Sequence, residues 1–387
     1  MTHRSFPLSE GVRGLAALAI VVVHVWLVTG AYSEELIPRM VIRLDVCVSL
    51  FFMLSAFLLY RPMIAHRAGG PPGPGVASYA RRRFFRIFPA YWFTLTILAI
   101  VPGLAGVLSG DWWAFYTLWF NYDPGAVASQ CAGTTQLCGL PQVWTLATEI
   151  TFYALLPFYA IAAAWIARRS GERWMRYELL LIGGLIAASM LLYLLGNDIR
   201  DENWLRFSFL GHFDWLGLGL VLAVLSVGLQ NRDRLPRPIE LLSERPGLSI
   251  GIAFAVYLTM VATLPPIPFP LTPELGDYLL MHLGHAVIAT FVMVPVVFGN
   301  PNLGASRRFL GHPWLVWLGL VSYGMYLWHF SVAYALGSDG AGASFWPTLI
   351  VTLGIAIPLG ALNWYLIERP TMRLKYGRRR PRREPAA

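Results

Sequence analysis

The chain has 387 residues, of which 56% are hydrophobic and only 13% charged, with a mean hydropathy of +0.55; an average soluble domain carries about 25% charged residues. No single water-soluble core buries that much apolar surface, so the composition excludes an ordinary soluble enzyme and points to a polytopic membrane protein. The net charge of +9 is almost wholly arginine, with Lys375 the one lysine. Where the arginines fall decides whether they serve nucleic acid, anionic lipid or an acidic ligand.

In chain order, apolar runs near residues 12 to 29, 44 to 60, 87 to 106, 143 to 167, 178 to 195, 207 to 229, 247 to 264, 278 to 299, 314 to 336 and 345 to 367 predict about ten transmembrane helices, an all-α bundle. The first run reads as a span rather than a cleaved leader, since it carries Arg13 and His24. Alternate connections hold 25 basic residues on one side and four (Arg39, Arg43, Arg200 and Arg206) on the other, with Arg13 inside the first span. That asymmetry predicts both termini and the basic loops in the cytoplasm, in a multi-pass protein of a bacterial inner or plasma membrane. Residues 1–370 are expected to form one integral-membrane domain and residues 371–387 a basic, disordered cytoplasmic tail. Cys131 and Cys138 share the longest outer loop, 107 to 142, where an oxidising compartment lets them pair. Neither the number nor the spacing of cysteines supports a metal site.

Ionisable side chains inside hydrocarbon are functional candidates by default. Arg13 and His24 are eleven residues apart, close to three turns, so they share a helix face and differ in height by about 16 Å. Counting inward from the outer ends of their spans puts His24, Glu149 and His329 at similar depth, with His212, Asp214, His282 and His285 also in outer halves. One outward-facing polar cavity is the expectation. Imidazole beside carboxylate suits general-base catalysis near neutral pH; the alternative is that these groups merely fasten helices together. Asp45, at the outer rim of the second span, reads as structural or as paired with Arg43 or Arg39. Tyr323, Tyr326 and Trp328 are candidates for shaping a cavity, although aromatics near interfaces often serve as anchors.

On the basic side, Arg81-Arg82-Arg83-Phe84-Phe85-Arg86 offers charge and bidentate donors suited to phosphates. Lipid headgroups and the positive-inside rule explain such a run equally well. Nucleic acid is not an expected partner, because the basic residues are scattered over membrane-flanking loops and no compact reading domain exists.

The stretch Arg13 to His24 resembles the R-x10-H signature of the membrane acyltransferase-3 family. Leu50 to Leu59 is similar to that family's LFFxLSGFLL element, Arg83 to Pro89 to its RxxRIxP, Trp144 to Glu149 to its WTLxxE, and Ser322 to His329 to its SYxxYLWH, with Glu368-Arg369-Pro370 near the end. The resemblance implies an integral-membrane O-acyltransferase of about ten helices that moves a short acyl group, acetyl by default, from acyl-coenzyme A to a hydroxyl. It implies His24 as the catalytic imidazole, with Arg13 as its companion, and Arg83 and Arg86 at the donor phosphates; Glu149 or another carboxylate is expected to orient His24. His329, Tyr326, Ser322, Asp45 and Asp214 are expected to line or support the cavity. No bound cofactor or metal is expected; acyl-coenzyme A is a substrate. The expected acceptor is a cell-surface glycan or glycolipid, as in polysaccharide modification. The alternative is a macrolide or other natural product, as in antibiotic biosynthesis. A proton-coupled transporter is the reading from another class; it calls for inverted repeats or broken helices in matching positions, and none stand out. Two positions depart from the family pattern: Ala56 replaces a glycine, and Ser49 stands where many members have aspartate one turn from Asp45.

Overall fold

The computed structural model describes residue 6 and residues 8–30, 35–70, 75–122, 138–195, 205, 207–232, 234–265, 274–300, 304–337 and 344–374. Ten long helices dominate them: α1 (Leu8–Thr29), α2 (Cys47–Arg67), α3 (Val76–Leu98), α4 (Trp144–Ser170), α5 (Trp174–Leu195), α6 (Phe213–Gly228), α7 (Pro246–Thr263), α8 (Leu275–Phe298), α9 (Pro313–Gly337) and α10 (Phe345–Asn363). Among the described residues, nine continuous helical stretches are long and apolar enough to cross a membrane. One of them, Pro141–Leu192, is two helices, because a turn at Gly171–Arg173 separates α4 from α5. Side chains such as Phe158 and Trp165 of α4 and Ile350 of α10 lie exposed on the outside of the bundle, where hydrocarbon rather than water suits them.

Two helices reach beyond their apolar runs. α2 continues to Arg67. α3 begins at Val76, eleven residues before the apolar run, and so carries the whole arginine cluster as helix. Arg83 and Arg86 therefore stand at i and i+3 on one face. α10 passes through a π turn, Trp364–Glu368, into the short helix Arg369–Leu374; residues 375–387 of the basic tail lie outside the described residues. The Cys131–Cys138 pairing also falls on a residue, Cys131, outside them.

The register of α1 against α9 builds the site. A Cβ on Gly319 would lie 2.0 Å from the Glu10 carbonyl, and one on Gly14 would lie 2.8 Å from that of Leu315. The two backbones therefore touch, as small residues permit between membrane helices. The helices run parallel, so ten residues on from this contact each presents a histidine to the other, His24 from Gly14 and His329 from Gly319. Further along, Gly337 meets Val28. α2 approaches α6 as closely: a Cβ on Gly219 would lie 2.3 Å from the Met53 carbonyl and 2.8 Å from Ala56 Cβ. The methyl of Ala56 is thus accommodated by a glycine on the neighbouring helix.

Candidate active site

A cavity of about 420 Å3 is lined by α1, α2, α3, α4 and α9, with Trp364 and Met372 from the segment after α10. His24 lines it, half-buried, and His329 stands fully buried behind. Their rings lie within 10° of parallel, with His24 Nδ1 2.6 Å from His329 Nε2. His329 Nδ1 is 2.8 Å from the Tyr326 carbonyl. A carbonyl oxygen only accepts, so His329 Nδ1 carries the proton and its Nε2 is the acceptor in the neutral ring. The contact between the rings then requires a proton on His24 Nδ1, and His24 Nε2 is left as an unprotonated, basic nitrogen. The ring of Phe330 packs edge-on against His24, centroids 5.0 Å apart.

The opposite end of the cavity is basic. Arg13, Arg82, Arg83 and Arg86 all line it, and Arg13 stands eleven residues, about 16 Å, from His24 along α1. Arg13 donates to both carboxylate oxygens of Glu10, at 2.9 and 2.8 Å. Arg86 is held by buried Glu368 at 2.7 Å, with its guanidinium 5.3 Å over the Trp364 ring. Arg83 lies 6.0 Å over the Tyr153 ring, and its Nε is buried without a hydrogen bond. Arg81 turns away to the Leu374 carbonyl.

α4 links the two ends. At its start Gln142 donates to the Leu327 carbonyl (3.1 Å), Tyr326 donates to the Gln142 carbonyl, and Thr145 meets Tyr326 Oη at 2.8 Å. This fixes the start of α4 at the level of the histidine pair. Glu149 lies five residues after Trp144, roughly 7 Å further along the helix. It accepts from Tyr153 at 2.7 Å; the Tyr153 carbonyl in turn accepts from Tyr79 of α3, beside Arg83. Glu149 therefore stands part of the way towards the arginines, rather than level with His24 as counting from span ends suggests. The group that orients His24 is His329. Tyr326 lines the cavity, as does Ser322, whose hydroxyl is turned to the Gly319 carbonyl (2.8 Å).

Asp214 and Asp45 are not on this cavity. Asp214 faces His282 at 3.3 Å, and Asp45 faces His285 at 3.2 Å, in place of the Arg43 or Arg39 expected from sequence. Those arginines donate instead to the carbonyls of Pro265 (Arg43) and of Ala262 and Leu264 (Arg39). Ser49 donates to the Val46 carbonyl and reaches that of His285 at 3.3 Å, so both departures from the α2 pattern are packed without a gap. Glu10, Ser55, Gln142 and Tyr153 are site residues that sequence reasoning did not single out. Spacing carries a signal for two of them: Glu10 is i−3 to Arg13, and Tyr153 is i+4 to Glu149.

The helical bundle thus holds a cavity with an arginine cluster at one end and a histidine pair at the other, groups chemically able to pair with an anion and to accept a proton. The acyltransferase domain family, acyltransferase 3, matches residues 9–364, and the chain belongs to it. It is 24% identical to nodulation protein 10 of Rhizobium leguminosarum bv. viciae, over 85% of this chain and 82% of that one. It is 23% identical to the peptidoglycan O-acetyltransferase OatA of Listeria monocytogenes, over 86% of this chain and 50% of the relative. A putative O-acetyltransferase of Staphylococcus aureus strain COL is 22% identical, over 95% of this chain and 57% of that one. The chain thus spans most of the first relative and little more than half of the other two. No solved structure matches it.

Proposed function

We propose that this acyltransferase is an O-acyltransferase moving acetyl or another short acyl group from acyl-coenzyme A to a hydroxyl of a cell-surface glycan or glycolipid. The observation that carries the reading is a basic imidazole at one end of a cavity whose other end gathers four arginines. Coenzyme A is a polyphosphate with a thioester at the end of a long arm, and phosphates are well matched by guanidinium groups. The basic-residue bias of the loops supports a cytoplasmic position for the arginine end and for both termini. The names of two relatives, a peptidoglycan O-acetyltransferase and a putative O-acetyltransferase, favour acetyl and a surface polymer.

In this mechanism His24 Nε2 removes the proton of the acceptor hydroxyl as its oxygen attacks the thioester carbonyl. The C–S bond breaks, the departing sulfur takes the proton from His24, and the products are an ester and the free thiol. His329 stabilises the imidazolium through its Nε2 lone pair, while the Tyr326 carbonyl holds the His329 tautomer.

The test is transfer of label from acetyl-coenzyme A in membranes containing wild-type or His24→Ala protein, with fractionated glycans, lipids and small metabolites as acceptors. Label entering the glycan or glycolipid fraction with wild type alone is expected. Label in the metabolite fraction moves the acceptor to a natural product. Transfer from no acyl-coenzyme A by well-inserted protein overturns the reading in favour of transport.

A further inference from the structure

Between the arginines and the histidine pair the cavity wall is mostly apolar, with Phe51, Leu54, Leu58 and Leu320 among its lining residues. Among the polar residues lining this stretch, which include Ser322, Tyr323 and Tyr326, the carboxyl group is that of Glu149, with Tyr153 and Ser55 beside it. Tyr153 has one hydroxyl proton, and it goes to Glu149 Oε2; Ser55 Oγ, 2.6 Å from Tyr153 Oη, then donates to Tyr153 Oη or to the Glu149 carboxylate. Both hydroxyl protons run towards the carboxyl group, so what this trio offers a ligand in the cavity is acceptor capacity.

An arm threading the cavity from the arginines to His24 meets this trio on the way. The arm of coenzyme A contains two amides, and an amide N–H taken into an apolar passage without a partner loses its hydrogen bonds to water. We infer that Glu149, held by Tyr153 and Ser55, is the binding group for an amide N–H of the donor's pantetheine arm and sets how deep the thioester travels. This rests on the acyl-coenzyme A reading above. It also removes Glu149 from the proton transfer, where His329 already occupies the other nitrogen of His24.

Three donors separate the possibilities: acetyl-coenzyme A; S-acetylpantetheine, which keeps both amides and lacks the nucleotide; and the acetyl thioester of 2-mercaptoethanol, which has no amide. Glu149→Ala is expected to lower kcat/KM by about 10- to 100-fold for the first two, mainly through KM. For the third it should stay within about two-fold of wild type. Glu149→Gln keeps one carbonyl oxygen and should recover part of the loss. Tyr153→Phe, which leaves the carboxyl in place but unheld, should show the same donor dependence more weakly, and it serves if Glu149→Ala fails to insert. An equal loss on all three donors, appearing in kcat, overturns the inference and returns Glu149 to the reacting centre. A wild-type protein inactive with all three thioesters overturns the donor reading itself.

Discussion

Two groups of imidazoles and carboxylates lie within this bundle, and they are built in opposite ways. In the first, His24 borders an open cavity, and each nearby acid is drawn to a partner other than His24: Glu10 to Arg13, Glu149 to Tyr153 and Glu368 to Arg86. In the second, where α8 meets α6 and the turn before α2, the acids face the imidazoles directly, Asp214 to His282 and Asp45 to His285. There His282 is sandwiched by rings, Trp215 at 4.4 Å and Tyr278 at 4.3 Å between centroids, and its carbonyl accepts from Trp215 Nε1. An ionisable side chain in a membrane is a functional candidate by default. The contrast shows what refines that rule: a base whose free nitrogen is left by its partners beside a cavity can do chemistry, whereas one enclosed by rings and carboxylates fastens helices.

The largest effect expected from this difference is at His24. His24→Ala should lower acyl transfer by at least about a thousand-fold, within the range of a lost general base, with unchanged protein in the membrane. A loss under ten-fold would place the base elsewhere and dissolve the contrast. Next comes the register that makes the pair. Gly319→Val puts its Cβ against the Glu10 carbonyl, so it must part α1 from α9 and separate His24 from His329. A loss of about a hundred-fold or more is expected, together with a lower melting temperature in detergent. The conservative change Ser331→Ala, on the same helix, should leave transfer near wild type. Smaller again is the arginine end. Arg83→Ala should raise KM for acetyl-coenzyme A about ten-fold with kcat little changed, and its effect should vanish with S-acetylpantetheine, which lacks the nucleotide phosphates. Loss of kcat with both donors would mean that Arg83 acts on Glu149 and Tyr153 rather than on phosphate.

Much of the frame was legible in the amino-acid sequence. Hydrophobic runs of span length gave ten helices, because hydrocarbon thickness dictates their length. Eleven residues between Arg13 and His24 put both on one cavity wall, because a helix repeats its face at that interval. Depth was the weaker inference. Glu149 was placed level with His24 by counting from an apolar boundary, but the start of α4 is set by Gln142, Thr145 and Tyr326, contacts more than 180 residues apart in sequence. Partner choice was equally hidden: Asp45 has Arg43 two residues away, yet it meets His285, because the α2–α8 packing decides which side chains face each other. The arginine run looked like a loop for want of apolar residues. It is helical, and its Arg82, Arg83 and Arg86 side chains line the cavity.

The smallest effect on catalysis, and the sharpest test of the contrast, lies in the second group. Asp214→Ala leaves the His282 ring between Trp215 and Tyr278 but removes its acidic neighbour, and no side chain of that pair lines the cavity. Loss of a buried hydrogen-bonded contact costs about 1–3 kcal/mol, so the melting temperature should fall by several degrees while kcat/KM stays within about three-fold of wild type. His282→Phe should show a loss of the same kind, since it keeps the ring and loses the partner. The double variant should be less destabilised than the sum of the two, because each change removes the same contact. Phe52 and Trp144 separate this group from the cavity, and both pack against His212. Those two rings are therefore a direct route by which movement in the group would reach the cavity. A hundred-fold loss of transfer in Asp214→Ala with an unchanged melting temperature would show that it does, and the two groups would then be one functional unit divided by an aromatic wall.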